Sequence, residues 1–290
     1  MLLSCFSGGG VLGRLKVTGL WCAALAVGAG AGWWRFEEPT ILGFLAVGQG
    51  DCAVFRHRGL TVLIDAGPGT PEFDVGRRVI WPKLRALGVT RIDLALLSHP
   101  DADHVAGLTS LRRQIPVRKI AAMSHFREHG ELRFWLAHWR VPEGDVLWLE
   151  PGVAFELGAY RLTVDALSLE PGAEDNAGSM FVRIEGEGAS ALFTGDAGEE
   201  TELAMLRRRD WRAEVLKAGH HGSKTATSAA WLKAVRPRAV VISCGRVNAY
   251  GHPAQATLDR IRESGAATCR TDRDGDVLFQ ARRGDFVRVR

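Results

Sequence analysis

The chain has 290 residues, 46% of them hydrophobic and 24% charged, and 37 Lys and Arg against 33 Asp and Glu leave a net charge of +4. That hydrophobicity excludes an intrinsically disordered chain, and charges recur too often through the body for a polytopic membrane protein. A charge this mild neither selects nor excludes nucleic acid as a partner.

After Arg14 and Lys16, residues 17–34 run without a charge and close on Trp33 and Trp34. Basic flank, apolar run and terminal aromatics predict a single membrane anchor, with the body outside the cytoplasm. The glycine-rich stretch AVGAGAG leaves two readings open: a cleaved signal segment, or neither, with a cytoplasmic body. Residues 1–38 are thus read as a tail and 39–290 as the folded domain. The cysteines at 5, 22, 52, 244 and 269 are odd in number and form no CxxC pair. They read as buried small hydrophobes, not as a disulfide frame or a thiolate zinc site.

TILGFLAV, DCAVFRH and LTVLIDAG predict three strands at hairpin spacing. Asp74–Leu87 reads as a helix stopped by Gly88, with Pro82 able to kink or split it. IDLALLS (92–98) is a buried strand ending at His99. Leu132–Arg140 reads as an aromatic-rich helix, and 145–165 as hairpin material. SMFVRIEG and SALFTGD are strands around a glycine turn. A helix at 198–208, strand EVLKAG, a helix near 227–235, strand AVVISC, a helix from Pro253 to Ser264 and terminal strands follow. Hairpins first and βαβ units later predict an α/β (α+β) fold of two mixed sheets packed face to face, with helices outside.

The chemistry sits at strand ends. Ser98-His99-Pro100-Asp101-Ala102-Asp103-His104 places four metal-capable side chains directly behind an apolar strand. Imidazole nitrogen and carboxylate oxygen are a ligand set for zinc or manganese. His99 and Asp101, two apart, share a side of an extended backbone. Asp103 and His104 diverge and can address a second ion. Strand ALF ends in Thr194-Gly195-Asp196, where the aspartate can bridge two ions. His220-His221-Gly222-Ser223-Lys224-Thr225 ends another strand; one histidine fits as ligand and the other as proton donor or phosphate contact. Gly222 would allow close backbone approach, and Ser223, Lys224 and Thr225 would offer donors to an anion.

In order along the chain, FLAVGQGDCAVF, LIDAGPG, LLSHPDADHVAGL, LFTGDA, VLKAGHHGSKTATS, NAYGHP and TDRDGDVLF resemble the metallo-β-lactamase fold, and within it the hydrolase domain of the ComEC DNA-uptake proteins. The resemblance spans about residues 40–285. It implies a four-layer αββα sandwich holding two divalent metal ions. It assigns His99, Asp101, Asp103 and His104 as the first ligand group, Asp196 as the bridge and His220 or His221 as the last ligand. Asp101 stands where the wider fold has histidine. The fold's other histidine is absent, and Asp175 or Asn176 could substitute as an oxygen donor, which favours manganese or magnesium over zinc. Asp51 and Asp65 are expected to support the site or reach the metal. The family's first aspartate is replaced by Ala46, which puts fine support of the site in question.

The implied activity is a phosphodiesterase or nuclease acting on DNA beside competence-channel proteins. Asp103 would orient the nucleophile, while His221 and Lys224 serve as catalytic groups. Arg77, Arg78, Lys83, Arg85, Arg91, Arg112, Arg113, Arg118 and Lys119 could track a polyanion or simply form a solvated face. Trp135 and Trp139 could stack on bases or belong to the core. The channel and oligonucleotide-binding parts of a full ComEC protein are not expected in this chain. Two alternatives stand beside the nuclease: a hydrolase of a small phosphocholine-type ester, thioester or lactam, and a non-catalytic accessory subunit. A basic groove would favour the first reading, and a closed apolar pocket the small substrate.

Overall fold

The computed structural model describes residues 38–69, 74–169 and 173–290. The apolar run 17–34, expected as an anchor, lies outside them. Among the described residues no helix is long and apolar enough to cross a membrane.

The opening runs form β1 (Ile41–Phe44), β2 (Ala53–His57) and β3 (Leu60–Ile64). Arg58 and Gly59 join β2 to β3 with φ of 46° and 79°, the two-residue turn whose twist matches paired strands. The helix expected over 74–87 forms in two parts. Gly76–Ile80 is wound wide, with the Trp81 N–H donating to the Gly76 carbonyl, before α1 (Trp81–Ala86) tightens. Pro82 has no N–H and its ring crowds the carbonyl four residues back, so the ladder widens ahead of it.

β4 (Ile92–Leu96) leads through α2 (Ala102–Val105) and α3 (Leu108–Leu111) to β5 (Val117–Met123), then α4 (Gly130–His138) and β6 (Val146–Leu149). The sequence reading omits β5 because Arg118 and Lys119 interrupt its apolar pattern. Both charges are answered locally, Arg118 by Asp93 at 3.5 Å and Lys119 by Asp145 at 2.9 Å. Residues 145–165 are only partly a hairpin. β6 runs parallel to β5, whereas β7 (Ala154–Leu157) and β8 (Tyr160–Asp165) pair antiparallel in the other sheet.

β9 (Phe181–Gly186) and β10 (Ala189–Phe193) follow as expected. Then come α5 (Glu199–Leu206), β11 (Val215–Lys217), α6 (Ala229–Val235), β12 (Ala239–Ile242), α7 (Gln255–Glu263), β13 (Ala267–Arg270), α8 (Thr271–Asp274), β14 (Val277–Arg282) and β15 (Asp285–Arg288).

These strands make a mixed α/β sandwich of two sheets. One has the order β15-β14-β1-β2-β3-β4-β5-β6 and the other β13-β12-β11-β10-β9-β8-β7. Alternation along the strands builds two cores. Ala191, Val215 and Val241 join a cluster with Phe44, Phe55 and Val62 between the sheets. Their neighbours Leu192, Leu216 and Val240 turn the other way, onto Met205, Trp231 and Ile261 of the helices, as a side-chain period of two requires. Phe44 stacks on Phe193 across the gap at 5.4 Å. Cys52, Cys244 and Cys269 are free thiols buried in these layers.

Each sheet is antiparallel on one side and parallel on the other. β3, β4, β5 and β6 are parallel neighbours, as are β10, β11, β12 and β13. Parallel strands end at a common edge, where irregular loops can gather functional groups. Asp65 follows β3, His99–His104 follows β4, Asp196 follows β10 and His220-His221 follows β11.

Candidate metal centre

Three hydrogen bonds knit the loops of the first sheet. The Asp51 N–H donates to Asp103 O (3.2 Å), the Ala66 N–H to His104 O (2.6 Å) and the Gly67 N–H to Asp51 O (2.7 Å). Gly50, at φ +138°, lies so close that a Cβ there would meet the Asp103 carbonyl, so the QGD turn admits no side chain at this point. The Met180 N–H donates to Ser98 O at 2.8 Å, and the Asp196 N–H to Ser179 Oγ at 3.2 Å. The first of these joins the two sheets at the shared edge, and the second ties β10 to β9 beside it.

Asp51, His104, Asp196 and His221 each bring one ligand-capable atom into a buried group whose members lie within 4.8 Å of one another. Second partners fix the imidazoles. His104 Nδ1 donates to Asp65 Oδ2 at 2.8 Å, leaving Nε2 bare at 3.3 Å from Asp196 Oδ1. His221 Nδ1 donates to Ser243 O at 3.0 Å, leaving Nε2 at 3.2 Å from both Asp103 Oδ2 and Asp196 Oδ2. A histidine whose far nitrogen is pinned by an oxygen is the usual arrangement of a metal ligand. Asp65 also accepts the Ser98 N–H and hydroxyl, each at 2.8 Å, so it orients the strand end as well as the ring.

His99 and Asp101 do face each other, with His99 Nε2 at 3.4 Å from Asp101 Oδ2. They border the tight group, the His99 ring lying tilted by 54° against His104 at a ring distance of 4.1 Å. Asp103 joins through His221. The choice between the adjacent histidines is made by backbone. His220 and His221 both take left-handed φ, +46° and +52°, an uncommon and strained conformation for such residues. It buries His221 and leaves His220 at the rim, Nε2 at 3.8 Å from Asp196.

Other predicted residues lie elsewhere. Asp175 does not reach the group; it pairs with His129 at 3.1 Å, because its short helical turn directs it outward. Asn176 keeps a buried Oδ1 without a hydrogen-bond partner. Gly222, at φ +83°, makes room for Pro253, which a Cβ there would meet at 2.7 Å. Ser223 is turned inward, its hydroxyl 3.0 Å from that of Thr225, whereas Lys224 is exposed. Trp139 is core, its indole N–H on Thr109, and Trp135 is half-buried beside it. Lys83 is drawn to Asp276 and the Ala46 carbonyl, each at 2.6 Å, and Asp276 also accepts the Ala46 N–H. The backbone at Ala46 is therefore anchored without an aspartate side chain.

Lys217, which the sequence reading passes over, lies in the middle of the centre. Its ammonium contacts Asp51, donates to Gly195 O at 3.0 Å and lies 3.5 Å from Asp196 Oδ1. A lone lysine inside the apolar strand EVLKAG was the available signal, since lysine is almost never fully buried without a partner.

Burial would raise both carboxyls, but neighbouring cations override it. His221, His104 and Lys217 hold Asp196 well below the carboxylate range, and Lys217 with His221 does the same for Asp51. Burial opposes charge on His104 and His221 too, yet Asp196 with Asp65, and Asp196 with Asp51, pull them well above the imidazole range.

Among the described residues, His99 Nε2, His104 Nε2, Asp51 Oδ1 and Asp196 Oδ1 are buried atoms with no hydrogen-bond partner. Converging ligand-capable atoms left without hydrogen bonds are costly to bury, and a bound cation would meet them together where Lys217 reaches only the two carboxylates. The residues fit a divalent metal.

Comparison with known proteins agrees with this geometry. The model of the Metallo-beta-lactamase superfamily matches residues 45–246. The chain is 34% identical over 236 residues to "Competence protein ComA" of Neisseria gonorrhoeae, covering 78% of this chain and 31% of that protein. It is 29% identical over 262 residues to "ComE operon protein 3" of Bacillus subtilis, covering 81% and 32%. The chain thus spans about a third of the length of the curated relatives it matches. Among solved structures it is similar to CmlA, a diiron β-hydroxylase from Streptomyces venezuelae, with TM-score 0.57, 16% identity, and coverage of 84% of this chain and 54% of that one.

Proposed function

The chain belongs to the metallo-beta-lactamase superfamily, whose members are in general metal-dependent hydrolases, and from that membership we propose that it is a divalent-metal-dependent phosphodiesterase acting on DNA in competence-type uptake. The observation that carries the reading is a carboxylate-rich centre in a chain similar to competence proteins over most of its length. His104, His221 and Asp196 would hold the ions, two by preference, with His99, Asp101 and Asp103 completing the set. So many oxygen donors favour manganese over zinc. Bound there, the ions would polarise a phosphoryl oxygen and acidify the attacking water.

The remaining work falls to the chain's own groups. Asp103, one-third exposed and hydrogen-bonded to His221, is placed to accept the proton of the attacking water. Water adds to phosphorus as the P–O bond to one nucleoside breaks, giving a phosphate monoester and a hydroxyl. His220 at the rim and exposed Lys224 lie on the loop that would meet the strand's phosphates. The basic cavity lined by Arg112, Arg113, His138, Trp139 and Arg140 lies where the chain enters the N-terminal ends of β5 and β6, away from the edge that carries the centre. The small space below the centre measures about 10 Å³, room for a water.

The test is purified residues 38–290 stripped of metal and reloaded with manganese or zinc, given linear DNA, a chromogenic phosphodiester and a cephalosporin. Metal-dependent DNA cleavage abolished by EDTA is expected. Intact DNA with a cleaved ester or lactam would establish the small-molecule reading instead.

A further inference from the structure

The NAYGHP segment takes no part in the metal centre, yet it is attached to it. It lies in the loop between β12 and α7. Asn248 clamps this loop: its amide donates to Gly245 O at 3.0 Å and His252 O at 2.8 Å, and its carbonyl accepts the His252 N–H at 2.8 Å. The Gly245 N–H donates to Gln49 Oε1 at 3.2 Å, fastening the loop to the turn that carries Asp51. A segment so pinned is expected to be rigid.

What the clamp holds out is apolar. Val247 is 94% exposed and Tyr250 71% exposed. Single exposed apolar residues are common and need no explanation. Two on one clamped loop beside a candidate hydrolytic centre are a different matter. The Tyr250 ring lies on His252 at 5.6 Å with planes 25° apart. His252 meets His220 edge-on at 5.7 Å, and His220 reaches Asp196 at 3.8 Å. A row of rings therefore runs from solvent to the metal centre. One face of Tyr250 is covered by His252, and its exposure leaves the other accessible.

We propose that Tyr250, backed by His252 and flanked by Val247, is a stacking platform for an unpaired base next to the scissile phosphate, so that single-stranded nucleic acid is the form of substrate the centre takes. The inference rests on the phosphodiesterase reading and deepens it. Bases in a duplex already cover one another's faces, whereas an unpaired base offers its face to an aromatic ring. The platform selects for a planar ring and not for base identity, because every base has such a face.

The experiment uses manganese-loaded protein and two single-stranded oligonucleotides of equal length, one of thymidines and one with abasic sugars throughout. Binding is followed by fluorescence anisotropy and cleavage by gel. The wild type should prefer the thymidine strand roughly tenfold in both readouts. Tyr250→Ala should bring the two substrates close to parity, and Tyr250→Phe should restore the preference. Tyr250 is exposed, so neither variant is expected to disturb folding.

If both strands are cleaved and the preference survives Tyr250→Ala, the platform is wrong and the phosphodiesterase reading stands. If neither strand is cleaved or bound, that reading fails and the platform with it. If Tyr250→Ala instead abolishes co-sedimentation with anionic phospholipid vesicles and leaves base preference intact, the loop is a membrane contact and the inference is overturned.

Discussion

Asp65 holds three donors while sitting at φ +58°, a left-handed conformation that asparagine tolerates at least as well as aspartate. Asp65→Asn therefore leaves the backbone unstrained but replaces one acceptor by a donor facing His104 Nδ1. The ring would then move its proton to Nε2, the atom aimed at Asp196. Metal affinity should fall by roughly 10–100-fold with only a small change in melting temperature, measured by calorimetric titration and thermal unfolding. Lys217 poses the reverse case. It is the buried cation that meets Asp51 and Asp196 directly. Lys217→Met should destabilise the metal-free protein by about 3–5 kcal/mol, the usual cost of leaving buried charges uncompensated. A bound divalent ion replaces that charge, so manganese should raise the melting temperature of Lys217→Met more than that of the wild type; an equal rise would show that lysine and metal do not share these carboxylates. The pH dependence follows from His104 and His221, whose folded values are raised. Their protons stabilise the metal-free fold below the ordinary imidazole value, about 6.5, and that contribution is lost as pH rises through the folded values. Metal must displace the same protons. Affinity should rise with pH beyond 6.5, by roughly tenfold per unit for each proton released, as titrations in buffers of differing ionisation enthalpy would reveal.

At the scale of elements, α5 and α6 are locked by one side chain. Glu202 is fully buried and accepts the N–H groups of Thr227 at 2.6 Å and Ser228 at 2.9 Å, just ahead of α6. Ser228 in turn caps α6 by accepting the Trp231 N–H. Burial pushes the Glu202 carboxyl up, and the two amides only partly reverse it. Glu202→Ala leaves both amides buried without an acceptor, at about 1–3 kcal/mol each. Denaturant unfolding should show a loss on the order of 3 kcal/mol, with metal affinity unchanged because none of the ligands is touched. The wide turn ahead of Pro82 and the ion-paired strand β5 follow the same logic. In each, a residue that breaks a local pattern is accommodated by a neighbour's hydrogen bonding.

For the whole molecule, the decisive feature is that two sheets end their parallel halves at one edge. Ligand-capable side chains more than a hundred residues apart in sequence meet there, Asp103 and His221 at 3.2 Å. The uncharged run 17–34 raises the question of where that edge faces. We propose it as a membrane anchor with the hydrolase outside the cytoplasm, on the strength of its basic flank and terminal tryptophans. Fractionation should place the full chain with membranes and residues 38–290 in the soluble fraction. Recovery of the untrimmed full chain as soluble would remove the anchor.

The sequence by itself determined most strands, the strand-end positions of the acids and histidines, and the family, because period-two apolar runs and the order of short motifs are local properties. It left Ala46, Asp175 and the two histidines of HHGS undecided, and it passed over Lys217. Those depend on which way a side chain turns once distant strands are paired. Local spacing states that two residues can face the same way, not what stands opposite. Only the tertiary structure set Lys217 against Asp51 and Asp196, drew Asp175 to His129, anchored the Ala46 backbone on Asp276, and through a left-handed turn buried His221 while leaving His220 at the rim. Each outcome is fixed by pairing across the two sheets, where buried charges from distant segments are set against one another, and no short segment carries that information.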